Sequence, residues 1–66
     1  MIAINLDMLR SLQGDMTDTA FSKKTGISRT QLWRIRQKPS SFGPDFIERI
    51  IISYPGINLN EFFISI

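Results

Sequence analysis

The feature that most constrains the fold is a pattern of helix starts that occurs five times in 66 residues. At each start, a residue suited to an N-cap stands between an apolar residue just before it and another one four positions after it. This apolar pair fixes the angle at which the chain enters a helix. The sequence therefore predicts helices that begin after Asn5, Thr17, Ser28, Gly43 and Asn58.

The ends of these helices are also visible in the sequence. Gly14 and Gly26 suit the left-handed backbone that ends many helices, and Pro39 disfavours helix at Lys38. The run Tyr54-Pro55-Gly56 ends the fourth helix, and no segment with strand-like alternation competes. We therefore predict an all-α, compact five-helix domain that spans residues 1–66 without a strand.

The composition excludes several classes of protein. The chain has no cysteine and no histidine, so it lacks a disulfide framework, thiol or imidazole catalysis and the usual zinc ligands. Its four glycines stand singly at predicted turns, and no segment resembles a signal peptide or a membrane span. We expect a cytoplasmic protein that is not an enzyme and uses no cofactor, no metal and no membrane.

Positive charge is concentrated in the middle of the chain, although the formal net charge is only +2. The stretch from Thr19 to Pro44 holds six of the eight basic residues and no acidic residue, so it carries +6 while the remainder carries −4. This asymmetry indicates a polyanionic partner. A basic surface that only aids solubility remains an alternative on charge alone. The six residues are Lys23, Lys24, Arg29, Arg34, Arg36 and Lys38.

The predicted third helix has two chemically different faces. At 100° per residue, Leu32 and Ile35 lie on an apolar face and the polar residues lie opposite them. Arginine can bind guanine, glutamine can bind adenine, and a threonine methyl or an aromatic edge can contact a thymine methyl. The polar face is therefore typical of major-groove recognition. It consists of Arg29, Thr30, Trp33, Arg34 and Gln37.

The segment TDTAFSKKTGISRTQLWRIRQ, residues 17–37, resembles the Cro and phage-repressor type of helix-turn-helix, also called the Xre family. The likeness extends to YPGINLNEFF, which is similar to the last turn and short fifth helix of that family. It implies a lambda-repressor-like domain in which helices 2 and 3 form the helix-turn-helix. It also implies a regulator of phage or mobile-element origin that binds double-stranded operator DNA.

The resemblance further implies which residues contact DNA. Four positions of helix 3 match those that meet bases or nearby phosphates, while Thr17 and Ser28 match helix starts whose amides hold phosphates. Lys38 begins the loop that follows the DNA backbone in this family. The predicted DNA-binding residues are Thr17, Asp18, Ser28, Arg29, Thr30, Trp33, Arg34, Gln37 and Lys38.

Some positions depart from the family pattern. Asp18 replaces a frequent DNA-contacting glutamine, and its carboxylate would repel phosphate, accept from cytosine N4 or only favour the helix start. Arg36 stands where the family often has glutamate, so the usual acid partner of a helix 1 arginine such as Arg10 is missing. Ser22 and Thr25 also depart from the family pattern, close to the turn between helices 2 and 3. This turn is either more loosely packed or closed by hydrogen bonds from their hydroxyl groups.

The sequence leaves two functions in competition. One is a transcriptional regulator that binds an operator as a dimer, with recognition helices about 34 Å apart. The other is an anti-repressor or modulator that binds a second regulator protein. Trp33 either stacks on DNA or folds back over residues 38–42, and Phe62–Ile66 form either core with a frayed end or the seam of a homodimer.

Overall fold

Five helices and two short strands make up the structure, a computed structural model that describes residues 1–66. One strand lies at each end of the chain, and the five helices lie between them in the sequence. The elements are β1 (Ile2–Ile4), α1 (Leu6–Gln13), α2 (Asp18–Thr25), α3 (Arg29–Gln37), α4 (Pro44–Ser53), α5 (Leu59–Phe62) and β2 (Phe63–Ser65).

All five predicted helix starts are confirmed. Four N-cap side chains accept hydrogen bonds from backbone N–H groups of the first turn, as when Thr17 Oγ1 accepts from Ala20 N and Ser28 Oγ from Gln31 N. Gly43 has no side chain for this purpose, and α4 instead begins with Pro44, which has no N–H to satisfy. The first two helices also end at Gly14 and Gly26 as predicted. Both glycines have positive φ angles, 56° and 76°, but only Gly26 adopts the left-handed helical conformation.

The predicted all-α fold is wrong, because the two ends of the chain form an antiparallel sheet and the fold is mixed α/β. Ile2 pairs with Ser65, Ala3 with Ile64 and Ile4 with Phe63. Each strand has only three residues, too few for a recognisable alternation, and the partners lie at opposite ends of the sequence. The structure remains 59% helical, so the sheet is a small addition to five helices.

The core is formed by residues from every helix and from β1. Phe46 of α4 stacks on Phe62 of α5 with ring centroids 6.3 Å apart, so the aromatic residues join the last two helices. The alternative of a frayed C-terminal end is wrong, because Phe62 is fully buried and the residues that follow it are paired in β2. The buried cluster consists of Ile4, Leu9, Phe21, Ile27, Leu32, Ile35, Phe46, Ile50 and Phe62.

Hydroxyl groups close the turn between α2 and α3. The buried Thr25 hydroxyl donates to Phe21 O at 2.8 Å and accepts from Ile27 N at 3.2 Å. Ser22 Oγ donates to Ile27 O across the same turn. The unusual hydroxyl residues at this corner therefore provide hydrogen bonds, which decides between the two alternatives left by the sequence.

None of the five helices has the length and apolar character needed to cross a membrane.

Candidate nucleic-acid interface

The exposed face of α3 carries the side chains that the sequence assigned to base recognition. Leu32 and Ile35 are completely buried, and their burial fixes the rotation of the helix about its axis. The opposite face contains no acidic residue. Its exposed residues are Arg29, Thr30, Trp33, Arg34 and Gln37.

Trp33 projects into solvent. The residue is 63% exposed, and Phe42 of the loop after α3 packs on Phe63 instead, with ring centroids 5.6 Å apart. The alternative in which Trp33 folds back over residues 38–42 is therefore wrong. An exposed indole offers a flat apolar surface and one N–H donor to a partner.

A shallow cleft of about 450 Å³ lies between the start of α2 and the first half of α3. It is lined by Asp18, Arg29, Thr30 and Trp33, so it brings together four of the predicted site residues. Arg29 Nη1 donates to Thr19 Oγ1 of α2 at 3.4 Å, a long hydrogen bond that holds the guanidinium loosely. Arg29 is thus kept near the cleft while most of its donors remain free.

Asp18 is bound to groups of the protein itself. Arg36 Nη1 donates to Oδ2 at 3.0 Å, and Gln13 Nε2 donates to Oδ1 at 2.8 Å. The hydrogen bonds from Arg36 and then Gln13 lower the pKa of the Asp18 carboxyl. Its negative charge beside the cleft is therefore balanced by Arg36, and the repulsion of phosphate expected from a free carboxylate is reduced.

The starts of α2 and α3 present free backbone donors. Thr17 and Ser28 use their hydroxyls as N-caps, which satisfies the third residue of each helix. The N–H groups of the first two residues of each helix have no acceptor within the protein. Because a helix N-terminus carries partial positive charge, these amides suit an anionic oxygen.

Three further predicted site residues extend this face toward the end of α3. Arg34 and Gln37 lie farther along α3, and Lys38 is its exposed C-cap. Lys24 lies elsewhere, with its Nζ 4.8 Å from the centre of the Tyr54 ring. The predicted site residues therefore form a cleft at the start of α3 and an extension along the rest of that helix.

Two polar residues at this interface were missed by the sequence analysis. Gln13 orients Asp18 and Arg36, and Thr19 binds Arg29. These contacts join residues 5 to 23 positions apart that belong to different helices. No local pattern in the sequence signals them.

No protein-family model, no curated protein and no solved structure matches the chain significantly. The likeness of residues 17–37 to the Xre family therefore stays a prediction.

Proposed function

We propose that this protein is a transcriptional regulator that binds double-stranded DNA in a sequence-specific way by inserting α3 into the major groove. The observation that carries the proposal is the exposed face of α3. Arg29, Thr30 and Trp33 line a cleft whose only acidic residue, Asp18, is paired with Arg36, and Arg34 and Gln37 continue the same face. Such a protein would act in the cytoplasm of its host, where the operator is.

Base recognition would come from the side chains at the start of α3. Arg29 has free donors for guanine O6 and N7, and Arg34 lies about one and a half helical turns later on an exposed position. Thr30 and Trp33 provide apolar contacts for a thymine methyl. Gln37 adds an amide of the kind that binds adenine.

Phosphate contacts would set the register of α3 in the groove. The free amides that follow Thr17 and Ser28 would bind phosphates on either side of the groove, and Lys38 would add a contact beyond the end of α3. Asp18 would act differently from the sequence expectation, as a residue that orients Arg36 rather than one that contacts DNA.

A second copy of the chain is the partner that an operator with two half-sites would require. Two residues of the predicted dimer seam Phe62–Ile66 already pack within the chain: Phe62 is buried, and Phe63 packs against Phe42 and Phe62. The part of the seam open to a second copy is therefore smaller than expected. The apolar side chains left exposed are Ile2 and Ile64 on the sheet and Met1 and Ile66 directly beside it.

Binding to a second regulator protein is the alternative function. The observation in its favour is that exposed Trp33 and the uncharged sheet would both suit a protein surface.

Trp33 provides the test, because it is the only tryptophan in the chain and lies in the cleft. We expect its fluorescence to be quenched when mixed-sequence duplex DNA is added, with an affinity that falls steeply as salt rises. Binding that is seen by anisotropy but leaves Trp33 fluorescence unchanged would place the DNA on another surface. Absence of binding at low salt would favour the protein-binding alternative.

A further inference from the structure

A second cleft, separate from the one at α3, lies beside α1. It has a volume of about 320 Å³ and shares no lining residue with the first cleft. This volume is at the lower end of the range of about 300–1,000 Å³ found for small-ligand sites, so it suits a compact ligand. The lining residues are Leu6, Leu9, Arg10, Gln13, Gly14 and Arg36.

Two guanidinium groups line this cleft and no acidic residue does. Arg36 donates through Nη1 to Asp18 and through Nη2 to Gln13, which leaves three of its five N–H donors unused. The side chain of Arg10 makes no hydrogen bond and no ion pair within the protein. The cleft thus contains the unpaired charge of Arg10, together with hydrogen-bond donors of both arginines that the protein itself does not use.

We propose that this cleft binds a phosphate group, held between Arg10 and Arg36. A guanidinium binds oxyanions through paired N–H donors. A carboxylate has only two oxygens, so a single guanidinium is enough to bind it. A phosphate has enough oxygens and charge to engage two guanidinium groups at once. Leu6 and the buried Leu9 form the apolar part of the lining and limit the water that screens these charges.

Gln13 and Asp18 act as positioning residues for this site. Gln13 accepts from Arg36 while donating to Met16 O and to Asp18, so the guanidinium is fixed from α1 and from the start of α2. Arg36 is therefore preorganised, and Arg10, which has no partner within the protein, supplies the second guanidinium when the ligand enters.

The phosphate has two possible sources, a free phosphate or phosphorylated small molecule and a phosphate of the DNA backbone. The second source is suggested by Asp18, which binds Arg36 and also lines the cleft at α3. The site itself is independent of the proposed DNA-binding function, and only this second source rests on it.

The first arm of the test is a titration of the DNA-free protein with inorganic phosphate, followed by NMR at constant ionic strength set with chloride. Saturable shifts of the Gly14 amide and of the Arg10 and Arg36 Nε–H signals are expected. Arg10→Gln should weaken this binding by about tenfold or more, because it removes a charged fork. Lys23→Gln removes the same charge from an exposed site away from the cleft and should leave the shifts unchanged.

The second arm uses duplexes in which single phosphates are replaced by uncharged methylphosphonates. If the source is DNA, one replacement per half-site should weaken binding of the wild-type protein by about tenfold but leave binding of Arg10→Gln unchanged. Saturable phosphate binding in the first arm, with no effect of the replacements in the second, supports a free ligand. An effect of the replacements in the second arm supports a backbone phosphate. If the protein binds DNA but neither arm responds to Arg10→Gln, the phosphate site is overturned. If it binds no DNA, the first arm alone decides.

Discussion

Asp18 lies beside a surface proposed to bind a polyanion, and its charge is balanced by the guanidinium of Arg36 at 3.0 Å. Half of the Asp18 side chain remains exposed, so solvent weakens the pair and its effect on stability is modest. The main role of the pair is to position helices, because the contacts of Asp18, Arg36 and Gln13 hold the start of α2, the end of α1 and the last turn of α3 together.

The dependence of folding stability on pH in the acid range tests the hydrogen bonds that Asp18 makes with Arg36 and Gln13. The hydrogen bonds from Arg36 and Gln13 lower the pKa of Asp18 from its ordinary value of 3.8, so the ionised form favours the folded state. Its contribution is complete above about pH 4 and is lost as pH falls through the lowered pKa. Thermal unfolding of the wild type and Asp18→Asn should therefore differ most above pH 4 and converge in stronger acid. A difference that stays constant with pH would contradict an ionic role.

The two exposed arginines at the start and middle of α3 are expected to carry sequence preference. Arg29→Ala or Arg34→Ala should cost roughly 1–3 kcal/mol of binding to a preferred site, because each removes a contact to guanine. Lys38→Ala is the matched control, since loss of a phosphate contact should weaken binding to all sequences alike and reduce the salt slope by about 1. Unchanged affinity in the Arg29→Ala, Arg34→Ala double variant would remove the basis for base recognition.

At the scale of the elements, the turn between α2 and α3 fixes how α3 is presented. Ile27 is buried and its N–H and C=O are both bound by hydroxyls, from Thr25 and Ser22. No buried side-chain nitrogen or oxygen atom of the protein lacks a hydrogen-bond partner, and the hydroxyl of Thr25 is one of those satisfied. The orientation of α3 therefore depends on two small polar residues.

Thr25→Val keeps the shape of the side chain but removes its hydroxyl. We expect it to destabilise the protein by about 1–3 kcal/mol, since the buried N–H of Ile27 loses its acceptor. Thr25→Ser keeps the hydroxyl and should retain the hydrogen bonds, so it separates their loss from the loss of a methyl group. Chemical denaturation measures both variants. Equal stability of wild type and Thr25→Val would show that the hydroxyl is dispensable.

The helices could be predicted from sequence because each boundary depends on residues within about four positions, as with Ser28 and the staple formed by Ile27 and Leu32. The same reasoning predicted which face of α3 is buried. The sheet could not be predicted, because Ala3 and Ile64 pair across the whole length of the chain. The ion pair of Asp18 with Arg36 was missed for the same reason, since only the packing of α2 against α3 brings the two charges together.

At the scale of the whole molecule, the exposed apolar residues of the sheet are where a second copy would bind. The sheet contains no charged side chain, and charges on edge strands are a common protection against association. A dimer would also add stability to a chain too short to bury a large core.

Ile64→Lys should weaken self-association and the cooperative binding of two half-sites without unfolding the protein, because Ile64 is 42% exposed. Ile52→Lys is the control, since Ile52 is 64% exposed on α4, away from the sheet. Analytical ultracentrifugation, with and without duplex DNA, measures the effect. Equal association of both variants and the wild type would exclude the sheet as the dimer surface.

Selection from a randomised pool of duplex DNA tests sequence-specific binding most directly. Enrichment and sequencing at two salt concentrations should yield a motif with two-fold symmetry and half-sites about 10 bp apart, with affinity that falls as salt rises. The Arg29→Ala, Arg34→Ala double variant should fail to enrich the same motif. If the wild-type protein enriches no motif at either salt concentration, it is not a sequence-specific regulator of DNA.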